Sequence, residues 1–82
     1  MTRDKVFQMI NEERNYQNGK WGMEFDDKNT PNDWVAYITR YLGKAVLFPF
    51  NGDVFRGAML KVAALAVAVL EREDYAPRHY DR

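Results

Sequence analysis

The chain has 82 residues, enough for one small hydrophobic core and too few for an enzyme with separate cofactor and substrate domains. Its 12 Lys and Arg balance 12 Asp and Glu, so no broad basic footprint for nucleic acid or anionic lipid is expected. Cysteine is absent, which excludes disulfides, thiolate metal sites and cysteine nucleophiles and is compatible with a reducing cytoplasm.

The opening MTRDKVFQMINEE interleaves charges with apolar residues and lacks the continuous apolar core and small-residue cleavage site of a signal peptide. The expectation is a mature cytoplasmic protein. Thr2 is placed to cap a first helix with Asp4 in its first turn, and the helical pattern runs from Arg3 to Asn18, before Gly19. Val6 and Ile10 share one side. At about 100° per residue that side is continued by Glu13, Arg14 and Gln17, so an apolar stripe turns polar halfway along. Residues 19–29 (GKWGMEFDDKN) carry two glycines, Asp26-Asp27 and Asn29, and read as a loop anchored by Trp21, Met23 and Phe25.

Thr30-Pro31-Asn32-Asp33 is a strong helix start, with Thr at the cap, Pro at the first helical position and a carboxylate that reaches back to the cap amide. The second helix is predicted from Pro31 to Val46. Its apolar face gathers Trp34, Ile38, Tyr41, Leu42 and Ala45, with Asp33, Arg40 and Lys44 on a solvated far side. Pro49 and the Asn51-Gly52 pair break the chain, and Asn51 or Asp53 then caps a third helix to about Asp74. That helix is apolar nearly all round, leaving a narrow polar strip of Gly57, Lys61, Glu71 and Arg72. Its most apolar run, Val62 to Leu70, is too short for a membrane span, which needs about 20 residues.

A helix apolar nearly all round needs neighbours nearly all round, and two partner helices leave part of it wet. The expected architecture is therefore all-α, with three main helices forming an oligomeric helical bundle, a homodimer or larger, in which the third helix packs against its symmetry mate. Alanines 58, 63, 64, 66 and 68 permit close approach. Residues 1–74 would form the helical domain and residues 75–82 a flexible C-terminal tail. That tail holds the only histidine, His79, so a His-Ser dyad or multi-histidine zinc site cannot assemble within one chain.

The most distinctive segment is ERNYQNGKWG, Glu13 to Gly22. As a small-molecule pocket wall, Arg14 and Lys20 would bind phosphate oxygens, Gln17 would read a base edge and Trp21 would stack on a ring. The same residues equally suit a structural corner, with Arg14 paired to a carboxylate, Gln17 bonded to backbone and Trp21 plugging the loop. Arg40 and Lys44, four apart, are spaced to hold phosphate without metal, as are Arg56 and Lys61, although both pairs also suit ordinary solvated strips.

ERNYQNGKWG, an acidic loop, TPNDWVAYITRYLGKA and FRGAMLKVAALAVAVLE together resemble phage and prophage proteins related to the all-α nucleotide pyrophosphohydrolases, the MazG-like superfamily. Within it the pattern is similar to the dATP/dGTP diphosphohydrolase-like branch, over roughly residues 8 to 73. The resemblance implies a helical bundle of at least two chains holding a nucleoside triphosphate and Mg²⁺ between helices. In active members the helix matching Ile38 to Ala45 carries an EExxE-type cluster and the next helix an ExxD-type pair. Here those places read Arg40-Tyr41-Leu42-Gly43-Lys44 and Ala58-Met59-Leu60-Lys61. Mg²⁺ prefers oxygen ligands, and neither Arg nor Lys replaces a carboxylate, so no metal or catalytic residue is carried over.

The leading expectation is thus a degenerate MazG-like phage or prophage accessory protein that binds a nucleotide or a host protein without efficient catalysis and needs no cofactor. One alternative is an active pyrophosphohydrolase whose Mg²⁺ site is relocated to Glu13 and loop acids such as Asp26-Asp27. Another is a structural interaction module. The ligand-binding candidates are Glu13, Arg14, Gln17, Lys20, Trp21, Arg40 and Lys44.

Overall fold

The computed structural model describes residues 1–48 and 52–72, with the backbone alone described for residues 21–27. Among these residues the chain is all-helical: α1 (Arg3–Lys28), α2 (Pro31–Ala45) and α3 (Asp53–Glu71). The tail of residues 75–82, with His79, and the break residues Pro49 and Asn51 lie outside the described residues.

The Thr2 hydroxyl accepts from the Lys5 amide at 3.2 Å and so caps α1. The helix does not stop at Asn18 as the glycine suggested but continues to Lys28, and the expected loop 19–29 is mostly helix. Glycine lowers helix stability by about 1 kcal/mol relative to alanine, which weakens a helix without ending it. An added Cβ at Gly19 would meet no atom within 4 Å, so nothing in the geometry calls for glycine there. The stop lies at Thr30, whose extended backbone (φ −85, ψ 165) is what a residue before proline prefers. Asn29 is buried at this corner, and Tyr37 donates its hydroxyl to Asn29 Oδ1 at 3.0 Å.

The start of α2 follows the sequence reading. Asp33 N–H donates to Thr30 Oγ1 at 3.3 Å, and Thr30 N–H donates to Asp33 Oδ2 at 2.8 Å, closing the capping box with Pro31 in the first turn. The cap of α3 is neither Asn51 nor Asp53 but Gly52, which makes no side-chain cap bond, while Asp53 sits in the first turn and favours the positive end of the helix dipole. α3 ends at Glu71, short of the expected Asp74, because Arg72 is extended (φ −86, ψ 139).

α3 is the middle helix, packing against both α1 and α2, and α1 and α2 do not pack on one another among the described residues. Val6 and Ile10 meet Phe55 and Ala63 while Arg14 reaches Glu71, so α1 rises alongside α3 in the same sense. Trp34 meets Val69 and Tyr41 meets Gly57, so α2 runs the opposite way. The core is Trp34, Leu65 and Ala68 with Tyr37, Ile38, Tyr41 and Val69 against it, and the Trp34 and Tyr37 rings meet edge to face at 6.0 Å. Leu42, expected on the apolar face of α2, is instead 44% exposed.

Among the described residues, Trp34 and Leu65 are the large side chains buried completely, and the rest of the buried apolar set consists of Ala45, Ala58, Ala64 and Ala68. The radius of gyration is 13.8 Å, against about 12 Å for a compact domain of this length. At 100° per residue, the buried residues of α3 share their side with Gly57, Lys61 and Glu71, so the polar strip runs along the helix boundaries, with the Lys61 side chain 40% and the Glu71 side chain 54% exposed. The outward side carries Met59, Ala63, Ala66 and Leu70.

Candidate functional site

The periodicity that put Glu13, Arg14 and Gln17 on one side with Val6 and Ile10 brings them against α3. Glu13 Oε2 lies 3.7 Å from Lys61 Nζ, and Arg14 Nε donates to Glu71 Oε1 at 2.8 Å. The Glu13 and Arg14 side chains are largely buried, at 15% and 14% exposure, so both links lie along the α1–α3 boundary. Gln17 is buried one turn further on, and its Oε1 has no hydrogen-bond partner among the described residues. Lys20 is exposed and stands 6.0 Å from the centre of the Tyr16 ring, the outer limit of a cation–π contact. The side chains of Trp21, Asp26 and Asp27 lie outside the described residues.

A second group forms where the last turn of α2 meets the first turns of α3. Tyr41 and Lys44 from α2 and Asp53, Val54, Gly57, Ala58 and Lys61 from α3 line a cleft of about 180 Å³. Its floor is open because position 57 has no side chain and position 58 only a methyl, and a Cβ built on Gly57 would find nothing within 4 Å. Two ammonium groups stand here with the Asp53 carboxylate, and Glu13 reaches the Lys61 ammonium from α1 at 3.7 Å, so the formal charges around the cleft balance. Arg40 is exposed and takes no part in it, and Arg56 belongs to another groove. The sequence placed Lys44 and Lys61 on separate strips; their convergence follows from the antiparallel α2–α3 hairpin, which is tertiary information.

Two further grooves flank α3 and are almost wholly apolar. One, of about 250 Å³, lies between Val6, Met9 and Ile10 of α1 and Phe55, Met59 and Ala63 of α3. The other, of about 530 Å³, lies between Trp34, Val35 and Ile38 of α2 and Ala66, Val69 and Leu70 of α3. Trp34 is buried there, and its indole N–H has no acceptor among the described residues. Glu13, Arg14 and Gln17 line none of these three hollows. Among the described residues no group of three or more Asp, Glu and His side chains gathers to hold a metal ion, and Glu13 faces the Lys61 ammonium instead.

No family model, curated protein or solved structure matches the chain. The MazG-like resemblance accordingly stands on its motif residues alone. Among the described residues no helix is long and apolar enough to cross a membrane.

Proposed function

We propose that the chain is a degenerate MazG-like accessory domain of phage or prophage type that holds a nucleotide by its phosphates, without Mg²⁺ and without efficient turnover. The observation that carries this reading is the shared cleft of Lys44 and Lys61. In the resemblance, the stretches 38–45 and 58–61 are where active relatives keep their metal carboxylates. Here the same two stretches supply Tyr41, Lys44, Ala58 and Lys61 to one hollow. An ammonium binds phosphate as a point charge and needs no metal bridge. The volume of about 180 Å³ falls below the ~300–1,000 Å³ of pockets that enclose a whole ligand, so the cleft suits the phosphate chain, with sugar and base outside.

Glu13 separates this reading from the enzymatic one. A relocated metal site makes Glu13 a ligand, whereas the 3.7 Å contact makes it a competitor for the Lys61 ammonium. Titration calorimetry with dATP, and separately with inorganic triphosphate, in EDTA should show binding that falls about tenfold or more in Lys44→Ala and Lys61→Ala and is retained or strengthened in Glu13→Gln. Mg²⁺-dependent pyrophosphate release that disappears in Glu13→Gln would establish the hydrolase instead. No binding of either ligand by the unaltered chain would leave the host-protein reading in its place.

The α1 residues favour a second role beside this one. The Arg14–Glu71 bond and the buried Gln17 make the middle of α1 a brace against α3, as a structural interaction module requires.

A further inference from the structure

On the outward side of α3, Arg56, Met59, Ala63, Ala66 and Leu70 recur at alternating spacings of three and four residues. That is the 3.5-residue period of a helix seam that packs on another helix, not of a surface left to water. Met59 is 40% and Leu70 83% exposed. The stripe runs between the two apolar grooves: Met59 and Ala63 line the one toward α1, and Ala66 and Leu70 the one toward α2.

We infer that this stripe is the two-fold seam between two copies of the chain, with their α3 helices antiparallel. The order large, small, small, large is its own complement. Turned about a two-fold axis between Ala63 and Ala66, Met59 of one copy meets Leu70 of the other, and each Ala63 meets an Ala66, where methyl groups let the backbones approach closely. An interface in which one patch serves both partners is what a closed dimer requires. Arg56 selects the direction. In a parallel pair it would stand against its own copy, two guanidiniums at the end of an apolar seam. In the antiparallel pair it passes Leu70 and reaches the C-terminal end of the opposite α3, where the carbonyl dipole is negative. The Lys44–Lys61 cleft lies on the other side of α3, so the seam does not rest on the phosphate reading.

Sedimentation equilibrium of the full chain at micromolar concentration is expected to give a dimer. Leu70→Lys should weaken it by about a hundredfold or more; the residue is already exposed in the single chain, so helical circular dichroism should be unchanged. Direction is read with single cysteines in a chain that has none of its own. Under diamide oxidation, Met59→Cys alone should stay uncrosslinked, because eleven residues separate positions 59 and 70 and hold the two thiols about 16 Å apart. Met59→Cys mixed with Leu70→Cys should crosslink readily. A monomeric unaltered chain, or a dimer that survives Leu70→Lys, overturns the seam; self-crosslinking of Met59→Cys overturns its direction.

Discussion

On the side of α3 that meets α1 and α2, the buried residues are Ala58, Ala64, Leu65 and Ala68, and the same side carries Lys61 and Glu71, engaged by Glu13 and Arg14. On the opposite side Met59 and Leu70 stand exposed around Ala63 and Ala66. Polarity alone would assign inside and outside the other way round. What distinguishes the two sides is their neighbours: alanines let α1 and α2 each lie close against α3, and the long polar side chains link helices at the boundaries while staying partly exposed, Lys61 at 40% and Glu71 at 54%. The bulky apolar residues are left on the surface, which is where a second layer would be added.

The sharpest way to break this contrast is to truncate one leucine on each side. Leu65→Ala removes a side chain that is 1% exposed and should lower unfolding free energy by about 2–5 kcal/mol. Leu70→Ala removes one that is 83% exposed and should change it by less than about 0.5 kcal/mol when measured dilute, in the monomer. Urea denaturation read by circular dichroism measures both. Equal losses would mean that the two sides are not inside and outside in solution.

Which parts of this arrangement were legible follows from how local their causes are. The Thr30–Asp33 capping box depends on four consecutive residues and was readable as it stands. So was the inward placement of Glu13, Arg14 and Gln17, because helical periodicity carries a side from Val6 onward. The continuation of α1 through Gly19 was not readable, since glycine signals a stop only when the backbone turns there, and the turn belongs to Thr30 and Pro31. Lys44 and Lys61 sit seventeen positions apart, and no local pattern announces that the α2–α3 hairpin brings them to one cleft. The Tyr37–Asn29 bond was missed for the same reason: it spans the corner between two helices.

A smaller effect tests whether the inward polar groups link the helices. Arg14 is mostly buried and Glu71 about half exposed, so solvent screening discounts their attraction heavily. A double-mutant cycle of Arg14→Met and Glu71→Gln should yield a coupling of about 0.5–1 kcal/mol in favour of the pair. The cycle is needed because Arg14 has further contacts whose loss a single variant would also report. Zero coupling would make the bridge an incidental surface pairing.

The smallest effect is expected to have the opposite sign. Gln17 is 3% exposed and its Oε1 is buried without a hydrogen-bond partner among the described residues, an arrangement that costs about 1–3 kcal/mol for a polar group denied water. Gln17→Met keeps nearly the same length and a good helix former while removing that group, so the melting temperature should hold or rise, by up to about 1 kcal/mol of stability. The direction matters more than the size. A rise identifies α3-facing polarity as a tolerated cost at position 17 and restricts the helix-linking polar contacts to Glu13 and Arg14. A clear fall would show that the Gln17 amide is bonded in solution, and would extend the polar, α3-facing side of α1 by another turn.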